Sequence, residues 1–235
     1  MKSSSFNELK KQLRQKQNFE KAKILQRFFK TGPGEYGEGD VFLGIIVPEL
    51  RKLAKVYILL DFPDLTRLLQ SPIHEERMLS LLILMQKYQK NADSQTTCYQ
   101  FYVDHKAYIN NWDLVDVSAP HIIGHYLFDR DASILLRWAK SRHLWTKRIA
   151  MISTFHFIRE HEFDNALKIA ELLLNDQHDL IHKAVGWMLR EIGKRDILIE
   201  KQFLDQHHVL MPRTMLRYAI EKFDEKERLF YLFKQ

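Results

Sequence analysis

The chain has 235 residues, enough for one large domain or two small ones, and its 46% apolar and 28% charged residues exclude a disordered tail. The longest nearly apolar run, Met78 to Met85, is far too short to cross a bilayer, and the single cysteine, Cys98, excludes an internal disulfide or a cysteine-rich zinc module. The net charge of +6 is uneven: Met1 to Lys30 holds nine Lys/Arg against two Glu, or +7, which leaves −1 for the remainder. A soluble protein of a reducing cytoplasm, with no membrane partner, is expected.

Phe6, Leu9 and Leu13 stand at helical spacing in the basic arm, and Ser5 with Glu8 fits a capping box opening that helix. Glu8 and Glu20 match neither the apolar core of a secretory signal nor an acid-poor transit peptide, so nothing here directs export. The arm fits either a DNA contact or an amphipathic surface helix. Five of the eight glycines then fall between Gly32 and Gly44. Gly32-Pro33-Gly34-Glu35-Tyr36-Gly37 satisfies a GxGxxG pattern, yet it follows a basic helical stretch rather than a strand, and Glu35, Glu38 and Asp40 would repel a phosphate. It reads as a loop, either a plain helix connection or a shaping element.

Beyond the loop the chain is nearly free of breakers. Glycine and proline together make up about half of their usual share, apolar residues recur at helical spacing, as in Ile149, Ile152, Phe155 and Phe157, and sustained alternation is absent. The prediction is an all-α chain, with Pro48, Pro63, Pro72, Pro120 and Pro212 at first turns or in linkers.

Similar basic helix starts recur along the chain: Glu75-Glu76-Arg77, Lys147-Arg148 and His182-Lys183. Arg148 to Lys183 is 35 residues, Arg77 to Arg148 is about two such periods, and Arg213 or Arg217 lies about one period further. A degenerate period of this length in a helical chain predicts stacked helix pairs in one repeat domain over 1–235, a curved α-solenoid with a concave basic groove.

Three tryptophans sit in suggestive company. Trp112, Asp113 and Asp116 share neighbouring surface on a helix, Trp145 lies one turn from Arg148, and Lys183, Trp187, Arg190 and Lys194 form a helical stripe. Singly, each Trp is an ordinary packing residue. Jointly, a carboxylate among indoles with cations at the edges suits a cationic base attached to a phosphodiester backbone. His121 and His125 are one turn apart but lack the Glu of a zinc hydrolase helix, and Cys98 reads as a small inert hydrophobe, so no metal or cofactor is expected.

These residues resemble the bacterial AlkD-like DNA alkylation repair glycosylases, built from HEAT-like repeats. The resemblance runs over most of the chain and is carried by Phe28-Phe29-Lys30-Thr31-Gly32 through Gly37-Glu38-Gly39-Asp40 and Phe42-Leu43-Gly44, by Trp112-Asp113-x-Val115-Asp116, by Trp145-x-x-Arg148, and by Lys183-Ala184-x-Gly186-Trp187-x-Leu189-Arg190-Glu191. The chain departs from the pattern at Asn111, an aromatic in some relatives, and at Phe28, which lacks a tyrosine's hydroxyl.

The resemblance implies excision of positively charged N3- and N7-alkylated purines from double-stranded DNA without base flipping. By the same carry-over Asp116 is the catalytic carboxylate, Trp112 and Trp187 cradle the lesion nucleotide, and Arg148 binds phosphate, with Lys183, Arg190 and Lys194 as further candidates. Asp113 orients or caps. A cytoplasmic monomer associated with the nucleoid follows. The rival reading is a non-catalytic protein of the same architecture that binds damaged or branched DNA. A helical scaffold for protein partners would instead present apolar or acidic positions.

Overall fold

The computed structural model describes residues 2–233, with side chains from Ser5 onward. The described residues form helices joined by loops, with a single isolated bridge, Val41 to Ile73, and none of their helices is long and apolar enough to cross a membrane. The chain divides into two compact units, Met1–Leu114 and Val115–Gln235.

The first unit opens with α1 (Lys2–Gln15) and α2 (Phe19–Phe28). Phe6, Leu9 and Leu13 are buried along one face of α1, as their spacing predicts. The capping box is not formed: α1 already begins at Lys2, which puts Ser5 inside the helix, and Glu8 accepts from Gln12 at 3.3 Å instead. Asn18 caps α2, its side chain accepting the Lys21 N–H at 3.0 Å.

The glycine-rich segment is indeed a loop, and one buried acid fastens its end. Glu75 accepts the backbone N–H groups of Leu43, Gly44 and Ile45 at 2.9, 2.7 and 3.2 Å, so these buried donors are satisfied without a ladder. Gly44 needs to be glycine: its φ is +81° and a Cβ would lie 2.1 Å from the Asn18 carbonyl oxygen.

Next come α3 (Val47–Val56), α4 (Phe62–Leu69), α5 (His74–Lys90), α6 (Gln95–His105) and α7 (Trp112–Ala119). Pro48 and Pro63 occupy first turns, where a missing N–H costs nothing. The apolar run Met78 to Met85 is interior to α5, which packs on α3, α4 and α6. Pro120 stands at the first turn of a π-helix rather than in a linker. It has no N–H to close an α-helical bond on the Asp116 carbonyl, and the chain widens there into a π turn, Pro120–Gly124, that continues into α8 (His125–Phe128).

The second unit then continues with α9 (Ser133–Ala139), α10 (Leu144–Arg159), α11 (Asp164–Leu172), α12 (Asp179–Gly193), α13 (Ile197–His207), α14 (Arg213–Ala219) and α15 (Glu225–Phe233). Its repeat is visible in the packing. α10 packs on α9 and α11, α12 on α11 and α13, and α10, α12 and α14 stack in that order. Arg148, Lys183 and Arg217 lie on these three helices, one per period. The contact between α12 and α14 is close because Gly186 has no side chain; a Cβ there would lie 2.4 Å from the Met215 carbonyl oxygen.

Candidate functional site

In the second unit, Asp116 meets Arg148 through a fork. Arg148 Nε donates to Asp116 Oδ1 at 2.9 Å and Nη2 donates to Oδ2 at 2.8 Å, while Nη1 donates to the Leu180 carbonyl. The guanidinium thereby ties α7, α10 and α12 together. Its residue is only 4% exposed, and these bonds leave at most two of five N–H groups for a phosphate. Arg148 is therefore first the partner of a carboxylate. A bidentate guanidinium fixes that carboxylate in direction. The Asp116 side chain is 18% exposed, against 5% for Arg148, so the acid is the part of the pair that solvent reaches.

Trp187, on α12, is half-buried. Its Nε1 donates to Glu191 at 3.2 Å and its ring centroid lies 5.7 Å from that of Phe155. Glu191 also receives Lys194 at 2.6 Å and Arg195 at 3.2 Å. Burial alone would raise the Glu191 pKa, but Lys194, Trp187 and Arg195 outweigh it and hold the carboxyl below its ordinary range. Arg190 is paired with Glu221, and Lys183 with Asp179 at 2.7 Å. Each cation of the predicted stripe thus has a carboxylate beside it. Trp145, expected to stand near Arg148 one turn on, is packed in the core.

In the first unit, Trp112 begins α7 as part of an aromatic stack. Its ring lies 5.2 Å from Phe29 at an interplanar angle of 18°, and 5.8 Å from Phe28 at 73°. Phe29 stacks in turn on Phe42 at 5.0 Å, and Phe42 on His74 at 4.5 Å. Asp113 serves the helix start, accepting the Leu114 N–H at 2.8 Å, and its other oxygen lies 2.8 Å from His74 Nε2.

His74 is a residue that the sequence reading missed. It is buried, with Nδ1 3.3 Å from Asp40, and Asp40 in turn takes Asn111 at 3.3 Å and lies 2.6 Å from Arg77 Nη2. Burial alone would lower the His74 pKa, but the hydrogen bonds to Asp113 and Asp40 outweigh it and raise it to about 9, so the ring is an imidazolium at neutral pH. Asp40 is shifted the opposite way: burial raises it, while His74 and Arg77 bring it below its ordinary value. The signal was present as His74-Glu75-Glu76-Arg77 just after Pro72, and Asp40 sat in the acidic loop read as repelling phosphate.

Among the described residues no group of three or more His, Cys, Asp or Glu side chains is arranged to hold a metal ion. His125 instead packs beside His156, ring centroids 5.0 Å apart.

Comparison with known proteins gives a structural neighbour and a family match. A search of curated proteins finds no match. Among solved structures, the fold is similar to that of a predicted DNA alkylation repair enzyme from Enterococcus faecalis, with a TM-score of 0.68 at 16% identity over 89% of this chain and 98% of that one. The model of the family described as DNA alkylation repair enzyme matches residues 9–223. With a match that spans both units, from α1 to the end of the stacked repeats, the chain belongs to the DNA alkylation repair enzyme family.

Proposed function

We propose that this protein is a monofunctional DNA glycosylase that removes positively charged N3- and N7-alkylated purines from duplex DNA, with Asp116 as the catalytic carboxylate. The observation that carries this reading is the forked Asp116–Arg148 pair: a buried guanidinium aims an acid that keeps 18% of its side-chain surface exposed.

The chemistry asks little more. An alkylated purine leaves with the electron pair of its N-glycosidic bond and becomes neutral, so no protonated partner acid is needed. The sugar is left oxocarbenium-like, and a fixed carboxylate stabilises that developing charge. Water adds to C1′ and its proton passes to Asp116 or to solvent, leaving an abasic sugar and the free base. Arg148 keeps the carboxylate aimed. Trp112 and Trp187 supply indole faces, which attract cationic groups, to the lesion nucleotide. Lys183, Arg190 and Lys194 supply phosphate contacts. For Lys183 the carboxylate partner does not argue against this, because its pair with Asp179 is exposed, contributes only about 0–1 kcal/mol, and a phosphate can replace the acid. Contacts to sugar and backbone allow the base to stay in the stack, without flipping.

Release of 7-methylguanine or 3-methyladenine from alkylated duplex DNA tests the reading. The wild type should release the base, and Asp116→Asn should slow release about 10²–10³-fold, as for loss of a charge-stabilising group. Equal rates would remove Asp116 from the mechanism. Binding without any release would favour the non-catalytic alternative.

A further inference from the structure

The basic N-terminal arm has no part in the reading above. Its apolar stripe, Phe6, Leu9 and Leu13, is turned inward, and its outer side borders a groove of about 560 Å³ against α4. Four cations line that groove, Lys10, Lys11, Arg14 and Arg67, and no carboxylate does.

Two of the four are fixed in place. The Arg67 guanidinium carbon lies 3.8 Å from the centroid of the buried Phe6 ring, with Asp64 at 3.2 Å, and Lys10 is anchored on the buried Glu76. The other two, Lys11 and Arg14, are exposed three residues apart on one helix face, and among the described residues neither has a carboxylate within 4.0 Å. Uncompensated charge is thus concentrated beside cations already held in position, which lowers the ordering cost of binding an anion there. The partner is a polyanion rather than a lipid surface. A helix that binds in a membrane interface keeps its apolar face for the acyl boundary, and α1 has already buried that face in the protein.

We propose that the α1–α4 groove is a second phosphate-binding surface for duplex DNA, distinct in its residues from Asp116 and its partners, that supplies affinity independent of sequence and of damage. The proposal rests on the reading of DNA as the substrate. Duplex DNA carries one negative charge per about 1.7 Å of axis, and each phosphate contact adds about 0.9 to the slope of log affinity against log salt.

The test compares Lys11→Gln/Arg14→Gln with a control of equal charge change on exposed positions elsewhere, Lys140→Gln/Lys168→Gln. Fluorescence anisotropy on undamaged duplex is read across a salt series, and base release is read in single turnover at saturating alkylated DNA. The groove variant should lose about tenfold in affinity at low salt and flatten the slope by about 1–2, with base release unchanged and the control close to wild type. An unchanged slope and affinity would overturn the inference. So would equal losses in both double variants, which would show diffuse charge only, or binding of wild type to anionic phospholipid vesicles as tight as to duplex. If the wild type releases no base but the groove variant still flattens the slope, the excision reading fails and this inference stands.

Discussion

Each unit contains a buried arginine facing an acid from earlier in the chain, and the two pairs are built differently. Arg77 in the first unit lies 2.6 Å from Asp40 but off the angle of a hydrogen bond, and Asp40 is shared with His74 and Asn111 behind a surface that leaves its side chain 5% exposed. Arg148 in the second unit grips Asp116 with two well-directed donors, and solvent reaches the acid. The first is a sealed strut. In the second the bonds are directed and the acid keeps 18% of its side-chain surface exposed. The two pairs differ in direction and in access, and access is what the role proposed for Asp116 requires.

The largest expected effect sharpens this contrast. Asp40→Asn should cost about 3–5 kcal/mol of stability, as breaking a buried ion pair does, and leave base release per folded molecule unchanged. Asp116→Asn should cost only about 1–3 kcal/mol, because the amide oxygen still accepts and water reaches the site, while base release collapses. Urea unfolding beside single-turnover assays separates the two. Equal stability losses, or a catalytic defect in Asp40→Asn, would erase the distinction.

Glu200 in the second unit shows what a buried acid does with no fork at all. Burial pushes its carboxyl up to about 8, and Oε1 lacks a hydrogen-bond partner. The folded state therefore holds a proton that the unfolded chain releases above its ordinary 4.5, so stability falls as pH rises from there to about 8. By pH 7 the loss amounts to ~3 kcal/mol. Glu200→Gln should recover most of it at pH 7 and gain nothing at pH 4, read from urea midpoints at the two values.

The smallest effect belongs to His74. Its folded pKa is raised from 6.5 to about 9, so its contribution is complete below pH 6.5 and is lost as pH rises through 9. The contribution is about 2–3 kcal/mol at neutral pH. Wild-type stability should decline across that window, and His74→Gln should flatten the decline. An unchanged profile in the variant would show that the imidazolium is not what holds Asp40 and Asp113.

Much of this architecture was legible in the sequence because it rests on short-range rules. The 3.6-residue recurrence of apolar residues and the scarcity of breakers predicted helices throughout, the glycine cluster predicted the loop, and the spacing of Arg148, Lys183 and Arg213 or Arg217 predicted stacked helix pairs, of which α10, α12 and α14 form a stack in the second unit. Local spacing also placed Trp112, Asp113 and Asp116 on one helix. Ser5 shows the limit even of local rules: a capping pattern competes with alternative starts, and the helix took an earlier one.

Tertiary structure alone decided which way the charged residues turned. Periodicity reports that a helix has an inner face, but what an arginine meets there depends on which helix lies opposite. Arg77 found an acid 37 residues upstream and Arg148 found one 32 residues upstream, and neither distance is encoded by any period within a helix. His74 gained its charge in the same way, from two acids that the folded chain brings to its two nitrogens. Ion pairs and pKa values depend on distances of a few ångström between segments far apart in sequence, so only the packed chain could fix them.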